Sequence, residues 1–368
     1  MGRILASFIM PHPPLAVPEV GRGQEARISE TISMMKRAAG EIRGLKPDTV
    51  IVISPHAPMC REKDCVHIYE HETLRGNLSN FGAWGIDIGY VNDYEFVASL
   101  ILEAESAGFR AGGTKRLRGR GRVAGELQKS GRLQESGAPQ TSGGPHADGA
   151  PQTNGGPQAD GIPQTNGGLQ ADGASQTNGG LHAGCSTQYA SATLASDTAD
   201  RHAVMVPEKG SGKLDHGTIV PLYYVDNAPG GADFKLVVVS IAFMGSKRIY
   251  EFGKCIKRAV QGYSAGGAGG FVVIASCDLS HKLKADGPYG FDPEGPRFDK
   301  YFIECIKTGD VDRLVNIDED LLEAAAQCGY YGTVMMLGAM DGLGLAPEVY
   351  SYEGTFGVGY PVAKIAVD

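Results

Sequence analysis

Short apolar runs alternating with stretches of helical periodicity set the layout of this chain. Residues 3–9 (RILASFI) make a first predicted strand, and Ile28, Ile32, Met35, Ala39 and Ile42 recur at helical spacing across residues 24–44. Lys46-Pro47-Asp48 ends that helix and launches Thr49-Val50-Ile51-Val52-Ile53-Ser54, a run apolar on both faces, as a strand covered by helices on both sides would be. Strand, helix and strand with short links form a βαβ unit, for which a right-handed crossover is expected.

Residues 62–82 are polar and predict an irregular, solvated segment. There His67 and His71 lie four apart, a spacing that would make a metal pair on a helix, but the surrounding charges speak against it. A strand is predicted over 84–90 and a helix over 93–107, ending at Gly108. Beyond residue 213 an Asp215-His216-Gly217 turn is expected to feed a strand through Leu222. Strands follow at 235–241 and 271–276 around a helix at 246–262. Helices at 297–307, 310–315 and 318–341, the last interrupted near Gly329, precede closing strands at 347–353 and 361–367. The expected fold is a single α/β domain with a central, mostly parallel sheet flanked by helices.

Between these halves the pattern vanishes. Residues 113–212 turn Arg/Gly-rich and then enter four units of period twelve over 137–184, from GAPQTSGGPHAD to GASQTNGGLHAG. The units lack an apolar ladder, so a solenoid has nothing to stack and burial cannot offset the entropy of ordering the chain. The expectation is a long disordered insertion in one domain made of residues 1–112 and 213–368. His146, His182 and His202 fall in the insertion and are not site candidates.

Composition narrows the function. The 34 basic and 42 acidic residues give a net charge of −8 and no basic stripe, which argues against nucleic acid or an anionic membrane as partner. No apolar run approaches the roughly 18 residues of a spanning helix, and no signal-peptide plan is visible, so a cytoplasmic protein acting on a small molecule is expected. The seven cysteines are odd in number and lack metal-knuckle spacing. They read as reduced thiols, Cys60 and Cys65 among them as a loop pair.

The histidines carry the chemistry. His12 lies in Pro11-His12-Pro13-Pro14 directly after the first strand, and His56 in Ser54-Pro55-His56-Ala57-Pro58 directly after the second. Flanking prolines fix φ and stiffen both turns. His216, before a predicted strand, and His281, in Cys277-Asp278-Leu279-Ser280-His281 after another, repeat the placement. Loops at the carboxyl ends of neighbouring parallel strands line one crevice. Histidines gathered there can provide both metal ligands and a base. Two histidines and an oxygen ligand would suit a non-haem Fe(II) oxygenase, and the same ligands with one water a zinc hydrolase. HExxH, P-loop, nucleophile-elbow and dinucleotide signatures are absent from the sequence.

Pro11-His12-Pro13-Pro14, Ser54-Pro55-His56-Ala57-Pro58, Asp215-His216-Gly217 with Val220-Pro221-Leu222, and Asp278-Leu279-Ser280-His281, in this order, resemble the class III extradiol ring-cleavage dioxygenases of the LigB type. The similarity is to the branch with the Memo-like proteins and the dioxygenase-like half of the AmmeMemoRadiSam proteins. It covers residues 1–110 and 213–368. The resemblance implies Fe(II) ligation by His12 and His56, acid/base work by His281, a substrate-side hydrogen bond from His216, and an orienting role for Asp278. The implied reactants are a catechol-like diol and O2. It leaves self-association into a homo-oligomer open.

The chain departs from that pattern at the third ligand. Related proteins carry a glutamate before Cys-Gly, whereas this sequence reads Ala326-Gln327-Cys328-Gly329. Gln327 offers a neutral amide oxygen, Cys328 a thiolate, and Glu323 lies about one helical turn earlier. A thiolate would shift the preference from iron toward zinc or copper. The alternatives to ring cleavage are therefore a Memo-like metal-binding protein without dioxygenase turnover and a zinc-type hydrolase in the same pocket.

Overall fold

A computed structural model describes residues 1–117, 208–230, 233–264 and 269–367. The repeat at 137–184 and His146, His182 and His202 lie outside the described residues. The strands are β1 (Arg3–Met10), β2 (Thr49–Ser54), β3 (Cys65–His67), β4 (His71–Leu78), β5 (Ala83–Val91), β6 (Arg110–Gly112), β7 (Glu208–Lys213), β8 (Lys235–Ser240), β9 (Gly270–Ser276), β10 (Leu345–Glu353) and β11 (Tyr360–Val367). The α-helices are α1 (Pro18–Gly21), α2 (Ser29–Leu45), α3 (Tyr94–Ser106), α4 (His216–Asp226), α5 (Ser246–Gly262), α6 (Glu294–Thr308), α7 (Val311–Val315), α8 (Glu319–Ala325) and α9 (Tyr330–Ala339).

Six strands form the central sheet in the order β10-β11-β1-β9-β2-β8. The β1–β9, β9–β2 and β2–β8 pairs are parallel, and β11 joins β1 and β10 antiparallel. The fold is thus the expected α/β arrangement. β9, from far along the chain, inserts between β1 and β2, so the ends of these three strands are neighbours.

Helices cover both sheet faces, which is why β2 and β9 are buried along their whole lengths. Side chains alternate between two apolar cores, as a two-residue repeat requires: Ile51 and Ile53 join one with Phe252 and Met335, Val50 and Val52 the other with Met35 and Ile42. In α5, Ile249, Phe252, Ile256 and Val260 form the inward stripe.

Four expectations need correction. Residues 62–82 are largely strand: β4 alternates in burial, with Leu74, Gly76 and Leu78 inward between the polar outward residues Thr73, Arg75 and Asn77, and the glycine at an inward position hides the two-residue period. His67 and His71 therefore sit on strands, not on one helix face. The Asp215-His216-Gly217 segment opens helix α4, not a strand. All of Gly217–Leu222 is buried, so the apolar run carries no helical stripe, and Pro221 inside the helix disguises it further. Cys60 and Cys65 are joined in a disulfide instead of being free thiols; the turn between them brings their Cα atoms to 5.7 Å. Finally, β7 begins at Glu208 and pairs with β4, so regular structure reaches into the predicted insertion.

Candidate metal centre

The parallel strands deliver their functional side chains to one edge of the sheet. β1 ends at Met10, whose carbonyl accepts from Cys277 N at 2.9 Å, tying the His12 turn to the segment after β9. The His12 backbone N–H then donates to Asp278 Oδ1 at 2.8 Å. β2 ends at Ser54, whose hydroxyl accepts from His56 N at 3.2 Å and donates to Asp215 Oδ1 at 2.6 Å. Asp215 caps α4 by accepting from Thr218 N at 3.1 Å, which starts the helix at His216. Only glycine fits next: a Cβ on Gly217 would lie 2.7 Å from Ser54 Oγ and 3.2 Å from His56 Cδ2.

Three ligand atoms converge there. His12 Nε2 lies 3.1 Å from His56 Nε2 and 3.5 Å from Cys328 Sγ, and the three atoms are all within 4.8 Å of one another. A tetrahedral ion at about 2.0–2.1 Å from nitrogen and about 2.3 Å from sulfur separates its ligands by roughly 3.3 Å (N to N) and 3.6 Å (N to S). His12, His56 and Cys328 thus suit a single metal ion in chemistry, and both distances from His12 Nε2 match that spacing. Gly329 enables this placement, because a side chain there would collide with Cys277.

Gln327 has a competing use. Its Oε1 accepts from Tyr330 N at 2.8 Å and so serves the first turn of α9. The side chain lines a surface groove with Met59, Phe243, Glu319 and Glu323. The oxygen ligand expected from Gln327 is thereby committed to the helix start, and Glu323 is exposed in the same groove. Cys328 is the third-ligand candidate that meets the histidines.

Of the other expected site residues, His216 packs its ring 4.2 Å from that of His56 and 5.8 Å from that of His12, with Phe81 5.3 Å away on its outer side. Asp278 Oδ2 lies 3.8 Å from His12 Nε2. His281 is anchored through its backbone N–H to Ala325 O at 3.1 Å, and its ring meets that of Tyr289 edge-on at 5.1 Å. Sequence reading missed Ser54, Ser276, Phe81 and Tyr289. The serines did leave a trace, since each is the last residue of a buried strand just before a histidine- or aspartate-bearing turn.

Burial governs the protonation of the cluster. It holds His12 well below the usual imidazole range, with His56, His216 and His281 adding to the fall. Burial, then His216, lowers His56 to about 4 against the opposing Asp215 carboxylate. His216 and His281 are lowered chiefly by burial as well. The same loss of water raises Asp278 to about 7, and it pushes the Cys328 thiol well up with help from Asp278. The pocket therefore presents neutral imidazoles with free lone pairs beside a thiol that needs a neighbouring cation to ionise.

Residues 6–114 and 189–363 match the family model described as the catalytic LigB subunit of aromatic ring-opening dioxygenase. The chain belongs to the LigB family. Both matched segments carry the pocket, and the repeat at 137–184 falls between them. A curated relative, Protein CA_C1420 of Clostridium acetobutylicum, is 26% identical over 358 residues, 97% of this chain. This LigB-family chain spans 56% of that relative's length. A crystal structure of the uncharacterized protein JW3007 from Escherichia coli K12 aligns over 98% of this chain and 99% of its own, at 12% identity and a TM-score of 0.43.

Proposed function

We propose that this LigB-family protein is a ferrous extradiol dioxygenase that opens a catechol-like aromatic diol with O2, holding its metal through His12, His56 and Cys328. The observation that carries the reading is the convergence of these three ligand atoms within 4.8 Å at the carboxyl edge of a parallel sheet. A ferrous ion bound there supplies Lewis acidity toward the diol hydroxyls and an electron source for dioxygen.

The protein's own groups do the rest. Neutral His12 and His56 offer lone pairs without first losing a proton at neutral pH. His281, lowered and neutral at that pH, accepts a proton from a diol hydroxyl as general base. His216, held between the tilted ring of His56 and the edge-on ring of Phe81, donates a hydrogen bond to a substrate oxygen. Asp278 fixes the His12 turn by accepting its backbone N–H. The partly exposed rings of Phe81 and Tyr289, against His216 and His281, offer aromatic surface to a planar ring substrate.

One observation favours a second reading. The third ligand atom beside the two histidines is a cysteine sulfur and not a carboxylate oxygen, and a His2Cys set suits zinc or copper, so metal binding without ring cleavage is the rival. Anaerobic loading with Fe(II), followed by a panel of catechols in aerated buffer, separates the two. Diol-dependent oxygen uptake with a ring-opened, conjugated product is expected, and His281→Gln should reduce its rate by about 10²–10⁴-fold. Full iron occupancy without oxygen uptake on any diol would leave the metal-binding reading standing.

A further inference from the structure

Ser276, the last residue of β9, touches two groups from different parts of the chain. It is fully buried, with its Oγ 2.8 Å from His12 Nδ1 and 2.5 Å from the Gly217 carbonyl oxygen. A carbonyl can only accept, so the single hydroxyl proton of Ser276 goes to Gly217 O. The contact with His12 must then run the other way, with Nδ1–H donating to the serine oxygen. His12 is left with its proton on Nδ1 and an unprotonated Nε2 facing His56 and Cys328.

The demand of Gly217 O has a cause in the sequence. In an α-helix that carbonyl would accept the N–H of residue 221, and residue 221 is proline, which has none. Pro221 thus leaves unsatisfied a carbonyl in the first turn of α4, where Gly217 is buried. Ser276 satisfies it. We propose that Pro221, Gly217 and Ser276 form a positioning relay that locks His12 in the Nδ1–H tautomer, keeping the Nε2 lone pair available for a metal ion. Ser276 acts only through His12. Its link to metal affinity rests on the reading of His12 as a ligand, whereas its hold on the tautomer does not.

Selective 15N-histidine labelling of the metal-free full-length protein, with His12 assigned by its loss in His12→Gln, reads the tautomer directly through long-range 1H–15N correlations. The wild type should show Nδ1 protonated and Nε2 bare. Ser276→Ala should convert His12 to the Nε2–H form or a mixture, while Ser276→Thr, which keeps the hydroxyl, should preserve the wild-type pattern. Chelator competition with Zn(II) should show about a 10–100-fold loss of affinity in Ser276→Ala and near wild-type affinity in Ser276→Thr. A wild-type Nε2–H tautomer, an unchanged tautomer in Ser276→Ala, or a tautomer change with no loss of Zn(II) affinity would overturn the relay. Failure of the wild type to bind Zn(II), with the tautomer shift intact, would instead refute the metal reading and support the serine's hold on His12.

Discussion

Asp278 concentrates the conflict built into this pocket. It is 5% exposed, its carboxyl is pushed up to about 7 by burial, and its Oδ1 accepts the His12 N–H. In an unfolded chain it would ionise near 4. Between those values the metal-free fold binds a proton that the unfolded chain does not, so this group costs stability as pH rises from about 4 to about 7 and changes little above that. Asn in its place can still accept from His12 N but cannot ionise. Chemical denaturation of metal-free Asp278→Asn against wild type should therefore show a relative gain that grows with pH over this window, with a limiting slope of about 1.36 kcal/mol per unit, and then levels off. A pH-independent difference would contradict it. At this scale the sequence was informative wherever rigidity is encoded locally: prolines around His12 and His56 announce fixed turns. Ser276 was illegible, because its two partners, His12 and Gly217, lie 264 and 59 residues away.

At the scale of elements, the junction between α8 and α9 decides what reaches the pocket. Ala326 ends α8 in the left-handed region at φ 50°, Gln327 serves the first turn of α9, and Cys328 is left turned toward His12. Gly329 N donates to Asp278 O at 2.9 Å, and a side chain there would overlap Cys277. Gly329→Ala should destabilise the fold by about 1–3 kcal/mol in denaturant titrations and weaken metal binding in parallel. Loss of neither would show that the junction has slack. The elements with clear periodicity, such as α5 and β2, were readable from sequence. α4 was not, because a helix buried on nearly all sides loses its polar stripe, and β4 was not, because one of its three inward positions is the glycine Gly76, which leaves only two apolar residues to mark the period. The glutamine that stood out in the sequence as the odd ligand is explained by a helix start that only the fold reveals.

Across the molecule, the described residues belong to one unit in which the turns after β1 and β2 and the junction between α8 and α9 bring together ligands from positions 12, 56 and 328. No helix among them is long and apolar enough to cross a membrane. A metal ion gripped by three elements binds the folded state and not the open chain, so it should raise the thermal midpoint in proportion to the logarithm of its concentration. At a hundredfold excess over Kd the gain is about 2.7 kcal/mol. The gain should disappear in His12→Ala and His56→Ala.

The shared ion itself is tested most directly by substitution with Co(II), whose absorption spectrum reports both geometry and thiolate ligation. One equivalent per chain should give the d–d bands of a low-coordinate site together with a sulfur-to-metal charge-transfer band in the near ultraviolet. Cys328→Ser should abolish only the charge-transfer band, and His12→Ala or His56→Ala should abolish tight binding. A wild-type spectrum without that sulfur band, or one unchanged by Cys328→Ser, would contradict the metal centre proposed for His12, His56 and Cys328.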